Sequence, residues 1–187
     1  MTADAPITLA EKLGRAVPAS TPLLAKAGAL GLSSVAALES LAVARGCGHY
    51  DNHLVIQAPL ISEEQFSHEE LAVALLSTRL DYSPHTIRVG AAMLGAEGNN
   101  PEKLAKLAAA EGSVAVIAYI ARSALQFEPT NPFWQRLLDR LPDAPVPPDG
   151  VMPHPTRFVS MTGITRKGVG LVTQWIRPWP AREMVCG

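Results

Sequence analysis

The sequence predicts a mainly α protein, a multi-helix bundle or an array of helical hairpins, with a small C-terminal β-hairpin arm. Three observations support this class. Helix-start signals recur before residue 141, apolar residues follow them at helical spacing, and a proline-rich break precedes a tail with strand-like texture. We therefore expect a helical domain at residues 1–141, a Pro-rich linker at 142–155 and a basic β-hairpin arm at 156–187.

The predicted helix starts share one device, a capping side chain directly before a proline. It occurs at Ser83-Pro84, Asn100-Pro101 and Asn131-Pro132, and Thr21-Pro22 is a candidate fourth case. The capping oxygen accepts from free N–H groups of the first turn, and a proline at the first helical position loses no hydrogen bond. Ser67 with Glu70 also fits a capping box.

Apolar stripes at helical spacing follow these starts. They comprise Ile87, Gly90, Ala91 and Leu94; Leu104, Leu107 and Ala108; Trp134, Leu137, Leu138 and Leu141; Leu71, Leu75 and Leu76; and, before Gly46, Val35, Leu38, Leu41 and Ala42. The segment from Ser113 to Leu125 is apolar almost all round, which is typical of the buried centre of a helical domain. It is too short to span a membrane.

The tail is predicted to form a hairpin. Six prolines lie between Leu141 and Pro155, and residues 157–161 and 170–176 then have strand character on either side of a basic tip at 163–168. A lone hairpin is marginal in water, so it must pack on the body, pair with another strand or join a second subunit. Residues 53–57 are the best candidate for a third strand, and the alternative for them is a buried connector.

Charge is unevenly divided along the chain. The net charge is −1, but residues 151–187 carry five basic and one acidic side chain, a net +4, and the first 150 residues carry −5. The arm is expected either to fold back on its own acidic body or to reach a partner. We favour the first, because +4 is far below the charge of a typical nucleic-acid-binding domain.

Aromatic and basic residues alternate in the tail and form the candidate partner-binding set. The set comprises Arg157, Phe158, Arg166, Lys167, Trp175, Arg177 and Trp179. Tryptophan and arginine are common anchors of protein interfaces. The same mixture suits stacking on single-stranded nucleic acid, and it equally suits packing against the acidic body.

The densest group of reactive side chains is the segment from Cys47 to His53. Its thiol, imidazoles and carboxylate, on Cys47, His49, Asp51 and His53, are ligand types that zinc accepts. Four ligands from one short loop would be cramped, and no second ligand pair at zinc-finger spacing follows. We therefore expect no cofactor, with zinc as the weaker alternative. A polar loop and a cysteine nucleophile with a histidine base are the other interpretations of this segment.

A helix-turn-helix unit at residues 67–94 is a second nucleic-acid hypothesis. His85, Thr86 and Arg88 open its second helix, where such units contact bases. The linker at 77–82 is long for a tight turn, and the surroundings are acidic, so we disfavour it. No Gly-x-Ser-x-Gly elbow or His-Glu-x-x-His helix occurs, and an enzyme is not favoured.

The sequence therefore leads to a non-enzymatic protein-interaction or regulatory module whose basic arm docks on its own body or on a protein partner. The first alternative is a nucleic-acid-associated protein that uses the hairpin or the helix pair at 67–94. The second is a metal-binding protein centred on Cys47–His53. We expect a cytoplasmic location and no membrane association, because two cysteines suggest a reducing compartment and no targeting or membrane-spanning segment is visible.

Overall fold

A computed structural model describes residues 5–51, 60–162 and 172–179 of the chain. Helices dominate these ranges, and a small two-stranded antiparallel sheet lies near the C-terminus. The predicted fold class, a mainly helical protein with a β-hairpin, is confirmed. The candidate third strand at 53–57 and the hairpin tip at 163–168 lie outside the described residues.

The elements follow one another in this order: α1 (Leu9–Lys12), α2 (Pro22–Ala29), α3 (Val35–Ala44), α4 (His68–Leu75), α5 (Pro84–Leu94), α6 (Pro101–Glu111), α7 (Val114–Phe127), α8 (Pro132–Arg140), β1 (Val159–Thr162) and β2 (Val172–Trp175). Two 3₁₀ turns, at Gly48–Tyr50 and Pro155–Phe158, follow α3 and precede β1. Helices thus occupy most of the chain before residue 141, as predicted.

The predicted caps begin four of these helices. Side-chain oxygens of Thr21, Ser83, Asn100 and Asn131 accept from backbone N–H groups in the first turns of α2, α5, α6 and α8, each with proline at the first position. The capping box of Ser67 begins α4, with Glu70 Oε2 accepting from the Ser67 amide at 2.8 Å. A second capping box, between Thr8 and Glu11, begins the short helix α1, which was not predicted from the sequence.

Two helices form the centre of the core. The predicted central helix α7 buries Val116, Ile117, Ile120, Ala121 and Ala124. The shorter α4 is buried even more completely, because each residue from 71 to 76 is at most 1% exposed. Helices α2, α3, α5 and α6 all pack against α4, while α6, α8 and β2 pack against α7.

The arm packs on this helical body. Strands β1 and β2 pair in antiparallel register, with Val159 opposite Trp175 and Thr162 opposite Val172. At the paired ends, Phe158, Val159, Trp175 and Ile176 belong to the same hydrophobic core as the helices. A lone hairpin was expected to need a surface to pack on. In the part of the arm that the structure describes, that surface is the helical body.

The proline-rich segment also contacts the body. Tyr82 Oη donates to the Val151 carbonyl at 2.7 Å, and Tyr119 Oη donates to the Pro153 carbonyl at 2.8 Å. Val151 and Met152 are both buried. Two tyrosines, one just before α5 and one in α7, thus hold the chain against the body before it enters the arm.

Among the described residues, no helix combines the length and the apolar character needed to cross a lipid bilayer.

Candidate functional site

The aromatic residues of the arm separate into a buried pair and an exposed tryptophan. Trp175 is 2% exposed and Phe158 is 1% exposed, whereas Trp179 is 69% exposed. The Trp175 ring lies 5.2 Å from the Trp134 ring and 5.3 Å from the Phe158 ring, measured between centroids. Its Nε1 donates to the Ala91 carbonyl at 3.2 Å. The surface of Trp175 and Phe158 is therefore used within the chain, and Trp179 alone of the three faces solvent.

Arg177 fastens the end of β2 to the body. Its guanidinium pairs with both carboxylate oxygens of Glu128 at 2.5 Å, and its Nε donates to the Gly95 carbonyl at 2.8 Å. Both side chains are largely buried, at 20% and 17% exposed. Such a bidentate, charge-assisted pair fixes orientation as well as position.

Glu128 also joins this contact to α8. Trp134 Nε1 donates to it at 2.8 Å and Asn131 Nδ2 at 3.0 Å. Burial of the carboxyl group opposes ionisation, but the hydrogen bonds from Arg177, Trp134 and Asn131 outweigh burial and lower the pKa of Glu128. The carboxylate is thus a charged hub between α8 and the arm.

The remaining predicted basic residues of the arm do not share this contact. Arg157 is exposed in the turn before β1. Arg166 and Lys167 lie outside the described residues. Only Arg177, of the predicted basic set, has a described ion pair with the body.

Gly46 is the point at which the arm meets the Cys47 segment. The Trp179 amide donates to the Gly46 carbonyl at 3.0 Å. Gly46 has a φ of 113°, and a Cβ there would collide with the Trp179 backbone. Glycine is required for both reasons. The structure therefore places Trp179 of the arm against the residue that directly precedes the Cys47 segment, although the two are more than a hundred positions apart in the sequence.

The predicted metal ligands lie in different environments, one buried and two exposed among those that the structure describes. Cys47 is 1% exposed, and its Sγ lies 3.4 Å from Met93 Sδ. Burial raises the pKa of its thiol to about 12, so the thiolate that binds zinc is disfavoured. His49 and Asp51 are exposed, and His53 lies outside the described residues. No group of three or more metal-ligating side chains occurs in the ranges that the structure describes.

A second group of polar side chains lies beside this segment. Glu39 of α3, Tyr50, and His85 and Arg88 of α5 form what we call the polar cluster. The Tyr50 and His85 rings meet edge to face with centroids 5.9 Å apart, and the Arg88 guanidinium lies 5.8 Å from the centroid of the Tyr50 ring. Glu39 Oε2 is 4.0 Å from His85 Nε2. His85 and Arg88 thus contact a buried tyrosine, and Glu39 lies on the His85 side of the cluster.

The polar cluster contains buried atoms without hydrogen bonds. Tyr50 Oη, His85 Nε2 and Arg88 Nε are all inaccessible to solvent and have no partner among the described residues. Tyr50 as a whole is 7% exposed. Burial raises the pKa of its hydroxyl to about 12, although the nearby Arg88 charge lowers it, so the hydroxyl keeps its proton at neutral pH.

Parts of the polar cluster belong to two motifs that the sequence already showed. Tyr50 falls inside the predicted metal segment, and His85 and Arg88 fall inside the predicted helix-turn-helix unit. Glu39 was missed, because no local signal distinguishes it from a solvated helix residue. In the structure, Thr86 Oγ1 donates to Glu39 Oε1 at 2.7 Å, so the start of α5 faces α3. The residues that would contact bases in a helix-turn-helix unit are thus in contact with the body.

A shallow depression of about 500 Å³ is a third polar surface. It is lined by Gly98, Asn99, Asn100, Pro101, Glu102, Arg136 and Arg140. Several of these groups already have partners: Asn99 Nδ2 donates to two carbonyls at the end of α5, and Arg140 pairs with Glu102 at 3.0 Å. The polar cluster differs from it in having buried polar atoms that lack a hydrogen-bond partner among the residues that the structure describes.

Comparisons with known proteins add no relative: no family model, no curated protein and no solved structure matches the chain.

Proposed function

We propose that this chain is a non-enzymatic protein-interaction module whose C-terminal arm docks on its own body and presents Trp179 to a protein partner. The observation that carries the proposal is the contrast within the arm. Trp175 is buried, while Trp179, four residues later, is 69% exposed on a backbone tied to Gly46. A large aromatic side chain held outward on a fixed backbone is a typical interface anchor.

The surroundings of Trp179 support a protein partner. The Trp179 backbone is hydrogen-bonded to Gly46, which directly precedes the segment that carries the exposed His49, so polar surface lies near the apolar anchor. Interfaces commonly combine a buried aromatic anchor with a polar rim. The partner would supply an apolar pocket for the indole ring. The proposed location is the cytoplasm.

The arm contacts make point substitution a better test than truncation. Removal of the arm would also remove Phe158 and Trp175 from the core, and would leave Glu128 without its guanidinium. Trp179→Ala removes mainly exposed surface, so we expect a change in the free energy of unfolding of about 0.5 kcal/mol or less. Val146→Ala is the matched control, because Val146 is 72% exposed and lies outside the arm.

The test is affinity capture from source-cell lysate with the intact chain, Trp179→Ala and Val146→Ala, followed by protein identification and reconstitution of the complex from purified components. We expect one protein to bind the intact chain and Val146→Ala, and to lose at least tenfold in affinity for Trp179→Ala. Binding should survive nuclease and chelator. Equal binding to all three chains would refute the proposal.

Treatment of the lysate separates the alternatives. Loss of binding after nuclease, with a steep dependence on salt, would favour the nucleic-acid-associated alternative. Loss after chelation, with metal found in the purified chain, would favour the alternative centred on Cys47–His53.

A further inference from the structure

The polar cluster contains three neighbouring polar atoms whose burial plain packing does not explain. Tyr50 Oη, His85 Nε2 and Arg88 Nε are buried and lack a hydrogen-bond partner in the described part of the chain. The three side chains are neighbours, because the Tyr50 ring lies within 6 Å of both the His85 ring and the Arg88 guanidinium. Buried polar groups in proteins are nearly always paired, and each unpaired one is costly.

All three atoms can donate a hydrogen bond. Arg88 Nε is a donor only, the Tyr50 hydroxyl carries a proton that it can donate, and His85 Nε2 donates when it bears a proton. One group with several acceptor oxygens would satisfy all three. Phosphate and carboxylate groups have this property, and arginine is the side chain that most often binds them.

Arg88 supplies the positive charge that an anion would need in the cluster. Arg88 forms no ion pair within the described ranges. Glu39 is the acidic member of the cluster, and its two oxygens lie toward other groups: Oε1 accepts from Thr86 at 2.7 Å, and Oε2 is 4.0 Å from His85 Nε2. Its negative charge would weaken anion binding, and its Oε2 is the acidic oxygen with which an oxyanion would compete at His85 Nε2.

We propose that Tyr50, His85 and Arg88 form a binding site for a small oxyanion, a phosphate or a carboxylate group, between α5 and the turn after α3. This site does not depend on the interaction proposed for Trp179. It predicts that the tyrosine hydroxyl contributes to ligand binding and contributes nothing to the stability of the free chain.

Titration with inorganic phosphate, with acetate and with chloride at matched ionic strength tests the site. The readout is the Arg88 Nε–H resonance in a two-dimensional NMR spectrum, assigned by its absence from Arg88→Lys. We expect phosphate or acetate to shift this resonance saturably, whereas chloride leaves it in place. Stronger binding of one oxyanion identifies the ligand class. A resonance that responds to neither oxyanion beyond the chloride control overturns the proposal.

Tyr50→Phe is the sharpest variant, because it removes only the hydroxyl. We expect phosphate or acetate to bind about tenfold more weakly, which corresponds to one lost hydrogen bond. The unfolding temperature of the free chain should not fall. The control is Tyr119→Phe, which loses the hydrogen bond to the Pro153 carbonyl at 2.8 Å. It should lower the unfolding temperature and leave anion affinity unchanged.

Glu39→Gln completes the test. Its amide oxygen can still accept from Thr86, but the negative charge is gone, so we expect the oxyanion to bind several-fold more tightly. Unchanged affinity in Tyr50→Phe, or a fall in its stability as large as that of Tyr119→Phe, would show that the hydroxyl has another role and would overturn the proposal.

Discussion

Trp175 and Trp179 are chemically identical residues of the same arm, and the fold gives them opposite roles. Trp175 follows the strand register into the core, where its indole N–H donates to Ala91. Trp179 lies beyond the last strand residue, and its described hydrogen bond to the body is made by its backbone amide, which donates to Gly46. Residue type predicted an anchor at both positions, but the local contacts separate a core residue from a surface residue.

Cys47 provides the first prediction at the scale of a residue. Its thiol is buried against Met93 and its pKa is raised to about 12, so very little thiolate forms at neutral pH. In a Cys186→Ser background, iodoacetamide should not alkylate the folded chain and should alkylate it readily in denaturant. Mass spectrometry measures the modified fraction. Alkylation of the folded chain at the rate of the unfolded chain would contradict the burial of Cys47.

At the scale of elements, the helix pair α4 and α5 depends on a close approach. A Cβ at Gly90 would lie 2.6 Å from Leu76 Cγ and 3.3 Å from Leu75 Cβ. Leu75 and Leu76 are at most 1% exposed, so neither can move into solvent. Gly90 was predicted as a member of an apolar stripe, and the structure adds that its small size sets the distance between the two helices.

Two alanine substitutions in helices should therefore have opposite effects. Gly90→Ala should lower the free energy of unfolding by about 2 kcal/mol, because overpacking outweighs helix propensity. Gly28→Ala in α2, where a Cβ meets nothing within 4 Å, should raise it by about 0.8 kcal/mol. Urea denaturation measures both values. A stabilising Gly90→Ala would mean that α4 and α5 are farther apart than described.

At the scale of the whole molecule, Glu128 couples the body to the arm. Its folded pKa lies below the ordinary value of 4.5, so its contribution to stability is complete above that pH and is lost as the pH falls toward the folded pKa. Glu128→Gln should lower the free energy of unfolding by about 2 kcal/mol at neutral pH. This difference from the intact chain should shrink as the pH falls below 4.5.

The quantity to measure is the difference in free energy of unfolding between the intact chain and Glu128→Gln. Glu69 and Glu70 also have lowered pKa values, so they contribute to the loss of stability in acid of both the intact chain and the variant. Denaturant titrations over a series of pH values give this difference directly. The control is Glu102→Gln, which breaks an ion pair with Arg140 whose side chains are 56% and 60% exposed. It should change stability by about 0.5 kcal/mol or less. A Glu128→Gln difference that does not vary with pH would refute the coupling.

The sequence by itself determined the fold class, five of the helix starts and the hairpin. These signals are local: a cap at Ser83 or Asn131 and a stripe of apolar residues are complete within a few turns of chain. The capping box at Thr8 was equally local, and was overlooked because α1 is only four residues long. Hydrogen bonding to the nearest backbone amides and helical periodicity are properties of short segments, so they can be recognised without the fold.

The tertiary structure decided which arm residues are buried, where the arm touches the body, and which polar groups meet. Arg177 pairs with Glu128, which lies 49 positions earlier in the sequence. Tyr50 contacts His85 and Arg88, which are also distant from it in the sequence. No local pattern encodes these pairs, because burial and hydrogen-bond partners depend on surfaces that distant segments create only when they pack. The same reason explains why Glu39 and Gly46, both unremarkable in the sequence, lie at the two contacts on which the proposed functions depend.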